Sequence, residues 1–181
     1  MEESNLIDRI LEIELHWFLT VNPQLTQECQ QHPEAFKVIR RSVFETWSPR
    51  TLELYWQHLV GAHSKERDLM REKYAKMDNL TPCLNVSPAI YEIVNIEERW
   101  LKEAVEKYPQ VFKREVGEGF TQYLRCELDT YSQAVLEAYL DDLKMALAEG
   151  MNLVMERHDR IAQKIGFSSL EEWSRQTEVP G

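Results

Sequence analysis

Two glutamates hold the same place in a stretch that the chain uses twice. Glu14 lies in Ile10-Leu11-Glu12-Ile13-Glu14-Leu15-His16-Trp17 and Glu97 in Ile93-Val94-Asn95-Ile96-Glu97-Glu98-Arg99-Trp100, with Ile, Ile, Glu and Trp at the same spacing. At about 100° per residue, Leu6, Ile7, Ile10, Ile13, Trp17 and Phe18 form an apolar face with Glu14 inside it. Ile90, Ile93, Val94, Ile96, Trp100 and Leu101 do the same around Glu97. A carboxylate among apolar side chains is a local inconsistency. Either its pKa rises into the range where it can move protons, or a buried cation offsets its desolvation. Acid–base chemistry in a pocket and a sealed ion pair are the two readings of this pair.

The helical wheel carries further polar side chains to inward faces: Arg40, His63, Glu66, Lys73, Glu127, Arg157 and His158. The acids Glu14, Glu66, Glu97 and Glu127 nearly balance the permanent cations Arg40, Lys73 and Arg157, as an ion network across a bundle core requires. The functional reading puts the same residues around a pocket. Glu14 and Glu97 are then the catalytic acid and base, and Arg40, His63, Lys73, Glu127, Arg157 and His158 bind the ligand.

Metal and nucleophilic chemistry are less well supported. A ferritin-like dimetal centre uses Glu-x-x-His on two helices, and none of His16, His32, His58, His63 and His158 has Glu three residues before it. A looser set of Glu14, Glu97, Glu127 and His158 remains, and no metal site is assigned. Cys29, Cys83 and Cys126 read as free thiols without a catalytic histidine. The six glycines form no phosphate-binding loop, and no motif implies a cofactor. Trp17, Trp47, Trp56, Trp100, Tyr55, Tyr131 and Tyr139 recur at helical spacing and read as core.

Helices must position these groups, since no segment reads as a strand. The first spans about 5–20 and ends at Asn22-Pro23. Residues 21–33, with Pro23 and Pro33, read as a loop. A helix from Glu34 to Trp47 follows, and Ser48-Pro49 starts a long one reaching Met77, with a bend at Gly61. Residues 79–88, bounded by Pro82 and Pro88, form the linker. Ile90–Tyr108 is a helix stopped by Pro109, and Val111–Gly119 is a polar connection. Phe120–Tyr131 and a long helix from Gln133 to Ile165, closed by Gly166, come next. Ser168-Ser169-Leu170-Glu171 predicts a capped terminal helix over about 169–176.

The second half repeats the first. At an offset of 84, Phe36, Arg41, Trp47, Ser48, Leu52, Glu53, Tyr55, Leu59, Ala62, Leu69, Glu72 and Lys73 meet Phe120, Arg125, Tyr131, Ser132, Leu136, Glu137, Tyr139, Leu143, Ala146, Leu153, Glu156 and Arg157. The opening stretches match at 83. Repeats over about 5–78 and 89–166 predict one all-α domain, 1–181: a helical bundle of about six main helices built from a duplicated three-helix unit with pseudo-two-fold symmetry. A ligand site would lie between the halves.

The chain is long enough to bury a core, with 43% hydrophobic residues in 181. A formal charge of −10 disfavours nucleic acid and anionic membrane surfaces. The odd cysteine count suits a reducing compartment, and no run of residues is apolar enough for a span, so the expected location is cytoplasmic.

Ile10-Leu11-Glu12-Ile13-Glu14, Cys29-Gln30, Arg40-Arg41-Ser42, Trp47, Tyr55, Arg67-Asp68-Leu69 and Glu72 through Met77 resemble the bacterial domain-of-unknown-function family 4125. The resemblance continues through Trp100, Lys107-Tyr108-Pro109, Tyr123-Leu124, Thr130-Tyr131-Ser132, Glu149-Gly150 and Asn152-Leu153. That family tends to carry Gly and Asn where this chain has Glu66 and Asp68, and a Gly-Gly loop where it has Asn22 to Glu28. Some members are joined to a nucleotidyltransferase-like domain, which implies an accessory or ligand-recognising role. The resulting expectation is a small-molecule-binding or accessory module for a nucleotidyltransferase-like partner. The alternatives are an enzyme using the inter-repeat carboxylates, and a structural or homo-oligomerising bundle.

Overall fold

A computed structural model describes residues 3–21, 32–112 and 118–177. Among them the chain forms ten helices and no strand. These are α1 (Glu3–Thr20), α2 (Pro33–Phe44), α3 (Pro49–His63), α4 (Leu69–Met77), α5 (Pro88–Lys107), α6 (Pro109–Phe112), α7 (Glu118–Leu128), α8 (Gln133–Ala148), α9 (Leu153–Lys164) and α10 (Leu170–Thr177). Of the loop expected over 21–33, residues 22–31 with Cys29 lie outside the described residues, as does the middle of the connection after Val111, and Pro33 already belongs to α2.

Local chemistry sets the helix starts. Ser48 and Ser132 accept from Thr51 N and Val135 N, satisfying donors that the first turn leaves unpaired. Pro33, Pro49 and Pro88 stand in first turns, where the missing N–H is tolerated. Pro109 ends α5 as expected and also opens the short α6. At the last helix, Ser169 Oγ accepts from Glu172 N at 3.1 Å while the Glu172 carboxylate accepts from Ser168 N, so the capping pair sits one residue later than Ser168 and Glu171.

The two long helices expected from periodicity are each broken. Glu66 adopts φ +56 and Gly150 φ +71, left-handed conformations that end a helix. Asp68 and Asn152 then cap α4 and α9 by accepting from Arg71 N at 2.9 Å and Met155 N at 3.1 Å. Leu59, Ala62, Leu69 and Met70 all face the core across the first break, and Leu143, Ala146, Leu153 and Val154 across the second. Apolar spacing therefore continues through the turns and hides them, which is why about six main helices were expected and more are found.

α1 packs on α2, α3 and α4, and α5 packs on α7, α8 and α9. α3 against α8, α2 against α9 and α4 against α7 join these two groups. The core runs through both, from Ile10, Phe44, Leu52 and Leu59 to Ile93, Trp100, Leu136 and Leu143.

Candidate functional site

The inward charges fall into two buried clusters. In the first, Arg40 of α2 donates from Nε to Glu14 Oε2 and from Nη2 to Glu14 Oε1, both at 2.7 Å. Its Nη1 donates to Glu127 Oε1 of α7 at 2.8 Å. Tyr55 OH donates to Glu14 at 2.6 Å and Tyr131 OH to Glu127 at 2.7 Å. Lys73 of α4 donates to Tyr123 OH at 2.9 Å and to Glu127 Oε2 at 3.4 Å. Each carboxylate thus meets a cation and a phenol, the pairing a buried charge requires.

The second cluster is simpler. Arg157 Nη1 of α9 lies 2.9 Å from both Glu97 oxygens, its Nη2 donates to Tyr139 OH at 3.0 Å, and Tyr139 OH donates to Glu97. Arg157 Nε reaches out to Thr46 Oγ1 at 3.2 Å, in the turn between α2 and α3. Among the described residues the buried charges are Glu14, Glu97 and Glu127 against Arg40, Lys73 and Arg157, so the signs balance.

Burial alone would raise Glu127, but Arg40 and Lys73 outweigh it and hold the carboxyl far below its ordinary range. Burial opposes the charge on Arg40 and Arg157, and their glutamates more than restore it. Tyr55, Tyr131 and Tyr139 are driven well above the usual phenol value, first by burial and, for each, by a glutamate as well, so they remain donors.

Trp47 stands between the clusters. Its ring centroid lies 5.3 Å from Tyr55 and 5.0 Å from Tyr139. A cavity of about 20 Å³, room for about one water, adjoins Glu14, Arg40, Tyr55, Lys73 and Glu127. A larger one of about 260 Å³ lies where the α2–α3 turn meets α8 and α9, lined by Thr46, Trp47, Asp142, Glu149, Glu156 and Arg160 among others. Among the described residues three buried polar side-chain atoms have no partner, Trp47 Nε1, Arg160 Nε and Ser87 Oγ, and the first two belong to residues that line this cavity.

The remaining residues named from sequence lie elsewhere. His63 is the last residue of α3 and is exposed, with its ring 6.3 Å from Trp17, and Glu66 is exposed in the turn. The wheel carried both inward because it ran through a helix end. His158 is half-buried, with Nδ1 2.8 Å from Val154 O and its ring 4.3 Å from Phe112, apart from both charged clusters. No group of three or more His, Cys, Asp or Glu able to hold a metal occurs among the described residues. Tyr55, Tyr131 and Tyr139 were legible as core aromatics but not as phenols bonded to the acids. Thr46, Asp142 and Arg160 carried no sequence signal. No helix among the described residues is long and apolar enough to cross a membrane.

Residues 4–175 match the model of a family described as a protein of unknown function, DUF4125. The chain belongs to that family. No curated protein and no solved structure matches it.

Proposed function

We propose that this member of the DUF4125 family is a small-molecule-binding or accessory module whose ligand occupies the 260 Å³ cavity beside Trp47. The carrying observation is the pair of orphaned donors on its lining residues, Trp47 Nε1 and Arg160 Nε. An unsatisfied buried donor costs about 1–3 kcal/mol, and a ligand hydroxyl or carbonyl oxygen that reaches either atom as the lining side chains turn would recover that. Asp142 and Glu45 are already engaged by Ser48 N and Lys164 Nζ, while Glu149 and Glu156 are exposed on the lining. This favours a ligand with a cationic group and several oxygens, of the amino-sugar class, over an anionic nucleotide.

The geometry supports this over acid–base chemistry at Glu14 and Glu97. Each is held by an arginine and a phenol, and the space beside Glu14 admits about one water. The clusters then frame the site: Glu97 fixes Arg157, which reaches Thr46 on the cavity wall.

We also infer that the chain is a duplicated unit, now of four helices per half, with the cavity between the copies. Exchanging α1–α4 with α5 and α7–α9 maps the main helix contacts onto themselves. A second cavity, of about 310 Å³, lies at the exchanged position. It has His58, Lys65 and Arg67 where the first has Asp142, Glu149 and Met151. In the accessory form of the proposal, a nucleotidyltransferase-like protein is the partner that reads the occupied cavity.

A thermal-shift screen of amino sugars, neutral sugars and nucleotides tests the reading. An amino sugar should raise Tm, and Glu149→Gln with Glu156→Gln should abolish that rise while leaving the ligand-free Tm within about 1 °C, since exposed substitutions cost little. No shift with any compound rejects the binding module and leaves a structural role.

A further inference from the structure

Cys83 and Cys126 bring their sulfurs to 3.8 Å from opposite sides of a packed junction. Cys83 lies half-buried in the linker between α4 and α5, and Cys126 is 3% exposed on α7. Contacts that do not involve sulfur hold both segments. Asn85 N donates to Asp129 Oδ1 at 2.8 Å and Asn85 Nδ2 to Tyr131 O at 3.4 Å. Lys76 Nζ donates to Pro82 O at 3.0 Å and pairs with Asp129 Oδ2 at 2.8 Å. A disulfide needs about 2.05 Å, so side-chain rotation has under 2 Å to close with the backbone already docked.

We propose that this pair is an oxidative modification site: a dithiol that closes into an intramolecular disulfide when the protein meets a peroxide, and reopens with a thiol reductant. The Cys83 thiolate attacks one peroxide oxygen. The O–O bond breaks, the departing hydroxide takes a proton, and Cys83 becomes a sulfenic acid with release of water. The Cys126 sulfur then attacks Cys83 Sγ. The S–O bond breaks and the leaving hydroxide takes the Cys126 proton as a second water. Two thiols have lost two electrons and two protons, and the peroxide has become two waters.

The two sulfurs differ in a way that fits this order. Burial, then the adjacent Cys83 and Asp129, push the Cys126 thiol up to about 11, so it stays protonated until attack. Cys83 is the more exposed sulfur and meets the oxidant first. In a reducing compartment such a pair rests open and closes on an oxidant pulse. The closed form ties the linker to the residue before Glu127, the acid that holds Arg40 and Lys73.

The full chain, reduced and then treated with hydrogen peroxide, provides the test. Expected are a mass lower by about 2 Da, a linked peptide joining Cys83 to Cys126, one thiol left for alkylation, and a Tm raised by on the order of 10 °C. Dithiothreitol should reverse all four. Cys29→Ser should leave the linkage and the Tm rise intact. Cys83→Ser, at a half-buried linker position, should lose both while the reduced protein keeps its helical spectrum. A linkage through Cys29, a covalent dimer, or Cys83 gaining oxygen while Cys126 stays alkylatable on unfolding overturns the proposal.

Discussion

Arg40 and Glu14 meet fork to fork, with two parallel hydrogen bonds of 2.7 Å between α2 and α1, and Tyr55 completes the shell around Glu14. Glu14→Gln removes one buried anion and leaves Arg40 with only Glu127. Breaking one side of a buried pair costs about 3–5 kcal/mol, so urea unfolding should show a loss of that size. Glu14→Leu combined with Arg40→Met should recover much of it, because the uncompensated charge is gone. Losses under about 1 kcal/mol for Glu14→Leu and Arg40→Met singly that simply add in the double variant would show that the pair carries no coupling.

The acid limb of stability should have two steps. His58, half-buried with Nε2 2.9 Å from Thr130 O, has its pKa lowered, chiefly by burial against the backbone hydrogen bond that raises it. The unfolded chain therefore takes up that proton first, and stability falls as pH drops below about 6.5. Glu127 is depressed in the folded state, since Arg40 and Lys73 overcome its burial. Its contribution is complete above about 4.5 and declines as pH falls toward the folded value. Denaturation against pH should show the upper step vanish in His58→Gln and the lower one shrink in Glu127→Gln. Unchanged profiles in both variants would remove these groups from the acid response.

The acids were legible because each breaks an apolar period, and their burial follows. Their partners were less so. Lys73 and Arg157 meet at the offset of 84 residues, and Arg157 does take Glu97, yet Glu14 takes Arg40 while Lys73 turns to Tyr123 and Glu127. A planar guanidinium matches both carboxylate oxygens at once, which an ammonium cannot. The cavity beside Trp47 joins a turn near residue 46 to helices about a hundred positions on, so neither segment alone announces it.

Glu66 and Gly150 occupy left-handed turns at φ +56 and +71, and only one of them is glycine. A side chain there costs about 1–2 kcal/mol. Open space surrounds the Cβ position of Gly150, so Gly150→Ala tests backbone strain without a clash. It should destabilise by about 1 kcal/mol, and Glu66→Gly should stabilise by somewhat less, because glycine also loosens the unfolded chain. Urea midpoints measure both. Equal signs for the two substitutions would contradict the strain argument.

Tyr55 and Tyr139 donate to Glu14 and Glu97, and their surroundings set different costs for losing the hydroxyl. Tyr139 OH also accepts from Arg157 Nη2 at 3.0 Å, so Tyr139→Phe strips a bond from both members of a closed ion pair. Tyr55 borders the cavity of about 20 Å³, where a water can take the place of the lost oxygen and bond to Glu14. Tyr55→Phe should therefore cost about 1 kcal/mol, and Tyr139→Phe about 2 or more, from urea unfolding at neutral pH. When Glu14 and Arg40 are replaced together by Leu and Met, the Tyr139→Phe cost should persist, because the Glu97 pair is untouched, while the Tyr55→Phe cost should vanish with its acceptor. Equal costs for the two phenols would mean that the space beside Glu14 does not admit water.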